Sequence, residues 1–433
     1  MVNSPYPGDS SSAPRIARQI AHLTLVVALC VSLPALAAQI DQPEQPELAS
    51  RTKQVDLSHT SGGWPHFFDV TNPYASLEYS YDSNVFRLDD MQPSIGLRSD
   101  RYAELEVGFS SDIKYGQQQY LLDGEFSPRW YASHSQLNYD GGKFGAVWHW
   151  AASGALTGTA GYRYLRSLRD FANQLAPSRV KDIRSEQRVF ASADWDVVQN
   201  WKLGGRAEYA DISFDPTTSL DLKKSTGDAS VTYVSGASNE LGVNLEVVHG
   251  DYVNSNGSTY DQYTIGPTLT WKYTVRTQLT GMVGYQGRSY SGTGGPFRPQ
   301  RPSYSGPTAN LKLSIADAGR GSLTASAYQE ISNLTDEVPD YAVVDGVSLE
   351  PAWTLSFGMT VRARASYEHR DFKDISGNSA RLDDIGSLGG FLDWPVGRHL
   401  RLTAGTTVEK RSSTRPLQGY EYLLQQIQIV GML

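Results

Sequence analysis

Apolar and polar residues alternate along many long stretches of the chain. Within residues 103–115, Leu105 and Val107 fall on one face of an extended strand, and Glu104 and Glu106 fall on the other. The same period recurs in the stretches 240–247, 278–288, 360–370 and 400–411. Strands of soluble sandwiches average about five or six residues, whereas these runs last about 9 to 13, the length that crosses a bilayer core at a barrel tilt. The pattern therefore predicts membrane-crossing β-strands.

Aromatic residues repeat in step with these strands. Trp195 and Tyr209 are 14 positions apart, as are Trp271 and Tyr285. Six aromatic anchors lie beside short predicted turns, where the interfacial girdle of an outer-membrane barrel would sit: Trp150, Trp195, Tyr233, Trp271, Trp353 and Trp394. The repeat unit spans about 40 residues, as propeller blades do, but it holds two long strands where a blade has four short ones.

These signals predict an all-β fold, a transmembrane antiparallel up-and-down β-barrel of about 18 strands. The predicted strands include 101–115, 118–132 and 134–151, and the count carries a margin of 16 to 20. An even number of strands places both chain ends on one side. We expect short turns in the periplasm and longer loops outside the cell, in the outer membrane of a Gram-negative bacterium.

The first residues have the pattern of a secretory signal peptide. Arg15 and Arg18 precede an apolar run over 20–33, and small residues follow at 35–37. We predict a signal peptide over residues 1–37, a periplasmic lead-in over 38–72 and the barrel over 73–433. The proline-containing lead-in is expected to be a linker, and folding against the barrel mouth is the alternative.

Composition removes several function classes. The chain has 38 Lys and Arg against 46 Asp and Glu, a net charge of −8, which argues against a nucleic-acid partner. Its one cysteine, Cys30, lies in the predicted signal peptide. A mature chain without cysteine has no disulfides, thiol nucleophile or cysteine-ligated zinc. We predict no metal and no cofactor.

Alternation places charged side chains on the face that would line a lumen. The predicted lumen or substrate-path residues are Glu104, Glu106, Asp123, Glu125, Arg288, Arg362, Arg364, Glu368, Arg370, Arg401 and Arg411. The acidic members come mainly from the first half of the chain and the basic members from the second. Either this segregation sets up a field across the lumen, or the charges pair locally between neighbouring strands.

Catalytic chemistry has little support in the sequence. His134 lies between Ser133 and Ser135, but neighbouring residues of a strand point to opposite faces and cannot pair directly. No HExxH, GxSxG or P-loop spacing occurs. The acidic pair Asp383-Asp384 is expected in solvent at a loop edge. We predict that the protein is not an enzyme.

One segment on the first predicted strand resembles a known family. It carries Tyr81, Asp82, Asn84, Val85, Phe86 and Arg87. This segment is similar to the opening signature of EpsL-type outer-membrane proteins of exosortase-associated exopolysaccharide loci. The stretch 137–150, which ends in Trp148 and Trp150, resembles a hairpin of the same family. The resemblance implies a role in exopolysaccharide biosynthesis or export.

Together these inferences predict a passive, polar-lined conduit for an exopolysaccharide. Alternatives are a general or nutrient-specific diffusion porin, a structural barrel with a blocked lumen, and, least favoured, an outer-membrane hydrolase. Expected partners are the exopolysaccharide chain, outer-membrane lipid and lipopolysaccharide, the barrel-assembly machinery and periplasmic export components. Lumen-facing tyrosines such as Tyr131 and Tyr328 are candidates for stacking on sugar rings.

Overall fold

The computed structural model describes residues 54–56, 70–92, 97–174, 180–254, 258–291, 303–316, 319–332, 341–373 and 379–432. The predicted signal peptide and almost all of the predicted lead-in lie outside these residues. No helix in the described part is long and apolar enough to cross a membrane.

Within the described ranges the chain forms one antiparallel β-barrel of 18 strands, β2 to β19, preceded by a short strand, β1. The strands are β1 Gln54–Asp56, β2 Asn72–Asp82, β3 Asp100–Tyr115, β4 Gln118–Tyr131, β5 Tyr139–Ser153, β6 Leu156–Leu168, β7 Ile183–Val198, β8 Trp201–Asp215, β9 Leu222–Val234, β10 Glu240–Tyr252, β11 Ser258–Thr274, β12 Thr277–Ser291, β13 Tyr304–Ala316, β14 Gly321–Ser332, β15 Ala342–Thr354, β16 Thr360–Lys373, β17 Ser379–Val396, β18 Leu400–Ser413 and β19 Tyr420–Met432. In the part of the chain that the structure describes, 3₁₀ turns lie at Ser135–Leu137, Phe171–Asn173 and Thr218–Leu220.

Pairing of the last strand with β2 closes the barrel. Ile427 of β19 lies opposite Tyr79 of β2, and every other barrel strand pairs with its neighbours in sequence. Closure leaves none of the 18 barrel strands of the described residues at an open sheet edge, the condition that a lipid bilayer imposes on β structure. The predicted fold class is confirmed.

The two ends of the barrel differ in the length of their connections. One end, the short-turn end, carries turns such as residues 116–117, 199–200 and 275–276; the other, the long-loop end, carries connections such as 83–99 and 169–182. The backbone N–H of Met432 donates to the carbonyl oxygen of His399 at 2.8 Å, which places the end of β19 at the short-turn end.

Side chains on the outer face are apolar because lipid, rather than a protein core, surrounds that face. Leu245 on β10 and Ile265 on β11 lie opposite each other in the ladder and are 42% and 45% exposed. Val107, Val283 and Val347 are exposed on other strands. Polar residues such as Glu246 occupy the alternate, inward positions, so the two-residue period has the predicted cause.

Exposed aromatic side chains border this apolar face. Trp195, Tyr233, Trp271, Trp353 and Trp394, all predicted girdle residues, are exposed near short turns. A second exposed set lies toward the long-loop end: Tyr209, Tyr263, Tyr285 and Tyr367. Residues 201 and 209 of β8 are about 27 Å apart along the strand, or about 20 Å across the membrane at a tilt of about 40°, comparable with an apolar band of about 25 Å.

Trp150, the remaining predicted girdle residue, is half-buried. It lies over Gly158 of β6, its ladder partner, and a Cβ at Gly158 would overlap the indole ring. The missing side chain of Gly158 therefore makes room for the tryptophan.

Strand β5 begins at Tyr139, so the predicted start at residue 134 is wrong by five residues. The carboxylate of Asp100 accepts hydrogen bonds from the backbone N–H groups of Ser133 at 2.9 Å and His134 at 2.8 Å. These bonds turn the chain into the 3₁₀ turn Ser135–Leu137 before the strand begins.

Strand β1 pairs in parallel with β3, with Val55 opposite Ile113. This part of β3 lies beyond its pairing with β2, which ends at Ser110. Part of the predicted linker thus adds to the barrel wall at the short-turn end.

Candidate functional site: the lining of the lumen

The inward faces of the described strands line cavities toward both ends of the barrel. The first, the short-turn cavity, has a volume of about 750 Å³ and lies between β2–β5 and β14–β19. Its lining includes Glu106, Glu125, Arg364, Arg401 and Gln426. Charged, amide and hydroxyl side chains together predominate in the lining, as in a water-filled lumen.

The second, the long-loop cavity, has a volume of about 710 Å³ and lies against β7–β12, the long-loop ends of β6 and β14, and the loop residues Arg169, Asp170 and Asn173. Its lining combines charged side chains, such as Arg206 and Asp228, with apolar ones, such as Ile212 and Val248. The two cavities lie toward different ends of the barrel and, apart from β14, against different strands.

The predicted acidic residues lie on the inward faces of β3 and β4. Glu125 accepts a hydrogen bond from the hydroxyl of Tyr74 at 2.5 Å and lies 2.7 Å from the ammonium of Lys143. Glu106 accepts from the amide of Gln428 at 3.1 Å and from Ser76.

The other two acidic residues also contact adjacent strands. Glu104 is buried and accepts from Nε of Arg129 at 2.9 Å. Asp123 lies opposite Gly145 of β5, where a Cβ would collide with the carboxylate. Glycine at this position therefore leaves room for the aspartate side chain.

Three predicted basic residues line the short-turn cavity. Arg362 places its Nε 2.7 Å from Asp393, and Arg364 places its Nε 3.2 Å from Glu350. Arg401 lines the same cavity. The Arg364 side chain is 52% exposed, so it is open to the lumen as well as to its partner.

The remaining predicted residues lie toward the long-loop end. Arg288 donates from Nε to Gln262 at 2.9 Å, and its guanidinium lies 4.6 Å from the ring centroid of Tyr260. Glu368 accepts from Nε of Arg370 at 2.9 Å and from the hydroxyl of Tyr328 at 2.8 Å.

Arg411 is fully buried between strands. Its Nε lies 3.0 Å from Asp383 of β17, and its Nη2 donates to Gln418 at 3.2 Å. Asp383 also accepts from Nε of Arg381 at 2.9 Å. The expectation that Asp383 lies in solvent at a loop edge is wrong, because this carboxylate balances two inward arginines.

These contacts favour local charge pairing over a field across the whole lumen. Arg362, Arg364, Arg370 and Arg411 each have a carboxylate oxygen within 3.2 Å on the same or the adjacent strand. Close opposite charges cancel at distances beyond their separation, and salt screens what remains. The lining is thus mixed in charge along its length.

One loop folds into the barrel, which alternation did not predict. The 3₁₀ turn Phe171–Asn173 follows β6, and the carbonyl oxygen of Ala172 accepts from Nη1 of Arg411 at 2.6 Å. Arg411 lies on β18, six strand-to-strand steps around the wall from β6. The described residues 169–174 therefore lie across the long-loop end of the lumen.

A buried apolar cluster on the inner face was also missed. Ile212, Phe214, Leu222, Val248 and Tyr260 pack together at the long-loop end. The signal was present on β8, where the inward face, which begins with charged residues, continues with apolar ones. This sector of the wall gives the long-loop cavity its apolar side.

His134 has a structural environment. Its Nδ1 lies 2.8 Å from the buried carboxylate of Asp100, and its ring meets Phe86 edge-on at 5.0 Å between centroids. Tyr131, a candidate for sugar stacking, is buried with Tyr102, and the hydroxyl of Tyr328 is bonded to Glu368. No group of three or more His, Cys, Asp or Glu that could hold a metal occurs in the described part of the chain.

No family model matches the chain, and no curated protein matches it. Among solved structures it is similar to the outer membrane protein OpdK from Pseudomonas aeruginosa, at 11% identity and a TM-score of 0.45, covering 84% of this chain and 100% of that one. It is also similar to OccAB3 from Acinetobacter baumannii (11% identity, TM-score 0.46, 84% and 99% coverage). A BenF-like porin from Pseudomonas fluorescens is a third such structure (10%, 0.47, 84% and 98%). Identities this low carry no information about substrate.

Proposed function

We propose that the protein is a passive diffusion channel for small polar and charged solutes in the outer membrane of a Gram-negative bacterium. The observation that supports this function is the interior of the closed barrel, which holds charge-lined cavities of about 750 and 710 Å³ toward its two ends. A barrel whose interior is filled by side chains lacks such cavities.

The mixed lining supports passage of solutes of either charge. In the short-turn cavity, Glu125 pairs with Lys143 and Arg364 pairs with Glu350. Paired charges keep the lining hydrated without forming a strong barrier or trap for one sign of ion. We infer modest ion selectivity.

The exopolysaccharide conduit implied by the family resemblance has less support in the geometry. An extended polymer needs a continuous wide path, whereas residues 169–174 lie across the long-loop end of the lumen. Small solutes are therefore favoured as cargo. Contacts with lipopolysaccharide, the barrel-assembly machinery and periplasmic export components are further proposals that follow from the location.

The test is single-channel recording of the purified protein in planar bilayers, combined with liposome swelling in sugars of increasing size. We expect open current steps, and swelling with monosaccharides that falls as the sugar grows. Block of the current by soluble polysaccharide would favour the polymer conduit. A folded, heat-modifiable barrel that gives neither current nor swelling would contradict the proposal.

A further inference from the structure

Residues 82–88, within the segment that resembles a family signature, form a compact hydrogen-bonded turn at the long-loop end of β2, called the signature turn below. The carboxylate of Asp82 accepts from the backbone N–H of Asn84 at 2.8 Å and lies 2.8 Å from Nη1 of Arg87. The Asn84 side chain accepts from the N–H of Leu88 at 2.9 Å and donates to the carbonyl of Glu421 on β19 at 3.0 Å. These bonds fix the segment against the seam of the barrel.

Arg87 also stabilises the signature turn. Its φ of +55° lies in the left-handed region, which few residues other than glycine adopt. Its guanidinium lies 3.6 Å from the ring centroid of Tyr422 on β19. The ion pair with Asp82 and this ring contact hold Arg87 in a backbone conformation that residues other than glycine seldom adopt.

The two apolar residues of the signature turn, Val85 and Phe86, pack inside the barrel at its long-loop end. Val85 is buried in a cluster with Tyr102, Tyr131 and Leu137, and Phe171 of the inward loop belongs to the same cluster. The ring of Phe86, packed against this cluster, lies 5.1 Å from the ring of Phe171. The signature turn thus presents an apolar surface against which Phe171 packs.

Polar contacts hold the inward loop on its other sides. At its base, Nη1 of Arg169 lies 3.0 Å from Asp182, and the N–H of Ala172 donates to the side chain of Asp170 at 2.9 Å. At its tip, Arg411 donates to Ala172. The 3₁₀ turn Phe171–Asn173 is therefore held by three sets of contacts: those at its own base, those with β18 and those with the signature turn.

We propose that Asp82, Asn84, Val85, Phe86 and Arg87 form the seat of an internal constriction. Phe171, which is only 3% exposed, anchors residues 169–174 on this seat, and these residues set the width of the pore at the long-loop end. This inference rests on the proposed channel function. Solutes then enter on the opposite sector, past the long-loop cavity on β7–β12. Phe86 and Arg87 are positioning residues, since they act on the path through Phe171.

The experiment compares unit conductance in planar bilayers for the full chain and the variants Phe171→Ala, Phe86→Ala and Phe126→Ala. Phe126 is 55% exposed on the outer face, so its variant removes a ring of the same size without touching the lumen. Heat-modifiable migration confirms that each barrel is folded. If Phe86→Ala does not fold, Phe171→Leu, which keeps an apolar side chain, replaces it.

We expect a higher unit conductance for Phe171→Ala and Phe86→Ala, and the wild-type value for Phe126→Ala. A conducting wild type with unchanged conductance in folded Phe171→Ala overturns the constriction and leaves the channel function standing. A wild-type protein that carries no current overturns the open channel. In that case, current through Phe171→Ala would support complete closure of the lumen at the seat. No current in any variant would overturn both the channel and the constriction.

Discussion

Arg411 and Asp383 form an ion pair on adjacent strands, 3.0 Å from Nε to Oδ2, in which neither side chain has any exposed surface. Arg411 also donates to the carbonyl of Ala172 on the inward loop. The buried side chain of Arg411 therefore joins the barrel wall to the segment that crosses the lumen.

Removing the carboxylate should destabilise the barrel more than removing a partner at the surface. Asp383→Asn leaves Arg381 and Arg411 buried without their shared counter-charge, and loss of one partner of a buried pair costs about 3–5 kcal/mol. The control is Glu421→Gln, which breaks an exposed pair with Lys410 and should cost about 0–1 kcal/mol. The free energy of unfolding in urea, measured in phospholipid vesicles, checks both values, and equal costs would contradict the buried pair.

The barrel was predictable because alternation has a direct physical cause. Leu245 faces lipid and Glu246 faces the lumen, and a membrane-spanning strand repeats that choice over its whole length. Strand number, the order of short turns and long loops, and the inward phase of residues such as Glu106 and Arg364 all follow from this one constraint.

Loop placement and charge partners were not predictable on the same basis. The contact between Ala172 and Arg411 joins residues 239 positions apart, and no period in the sequence reports it. The pairing of Arg362 with Asp393 depends on the register of two strands, which alternation fixes only as inward or outward. Tyr131 is buried in a cluster that includes Phe171 of the inward loop, a contact that alternation does not reveal, so the sequence alone leaves Tyr131 a candidate for stacking on sugar rings.

Lipid and lumen faces should respond oppositely to a new charge. Leu245→Arg places a guanidinium near mid-strand on the lipid face and should cost about 2–4 kcal/mol, whereas Asn244→Arg, one residue away on the lumen face, should cost much less. Urea titrations in vesicles compare the two. A larger cost for Asn244→Arg would mean that the faces are assigned the wrong way round.

Charge reversal in the lumen should change ion selectivity. Arg364→Glu converts a half-exposed cation of the short-turn cavity into a carboxylate beside Glu350, so cations should be favoured. Lys410→Glu makes the same change in charge at an exposed site on the outer face and should have no such effect. Reversal potentials in a salt gradient measure the shift; equal shifts in both variants would show a general surface-charge effect.

A lumen that forms a water-filled path through the membrane exposes the side chains of its lining to reagents dissolved in water. Gln426 lines the short-turn cavity, and its neighbour Ile427 is 58% exposed on the lipid face. The measurement is the current through Gln426→Cys and Ile427→Cys before and after a charged, membrane-impermeant methanethiosulfonate reagent. We predict a stepwise fall in current for Gln426→Cys and none for Ile427→Cys; no current in either folded variant, or no effect at Gln426→Cys, would contradict a water-filled lumen.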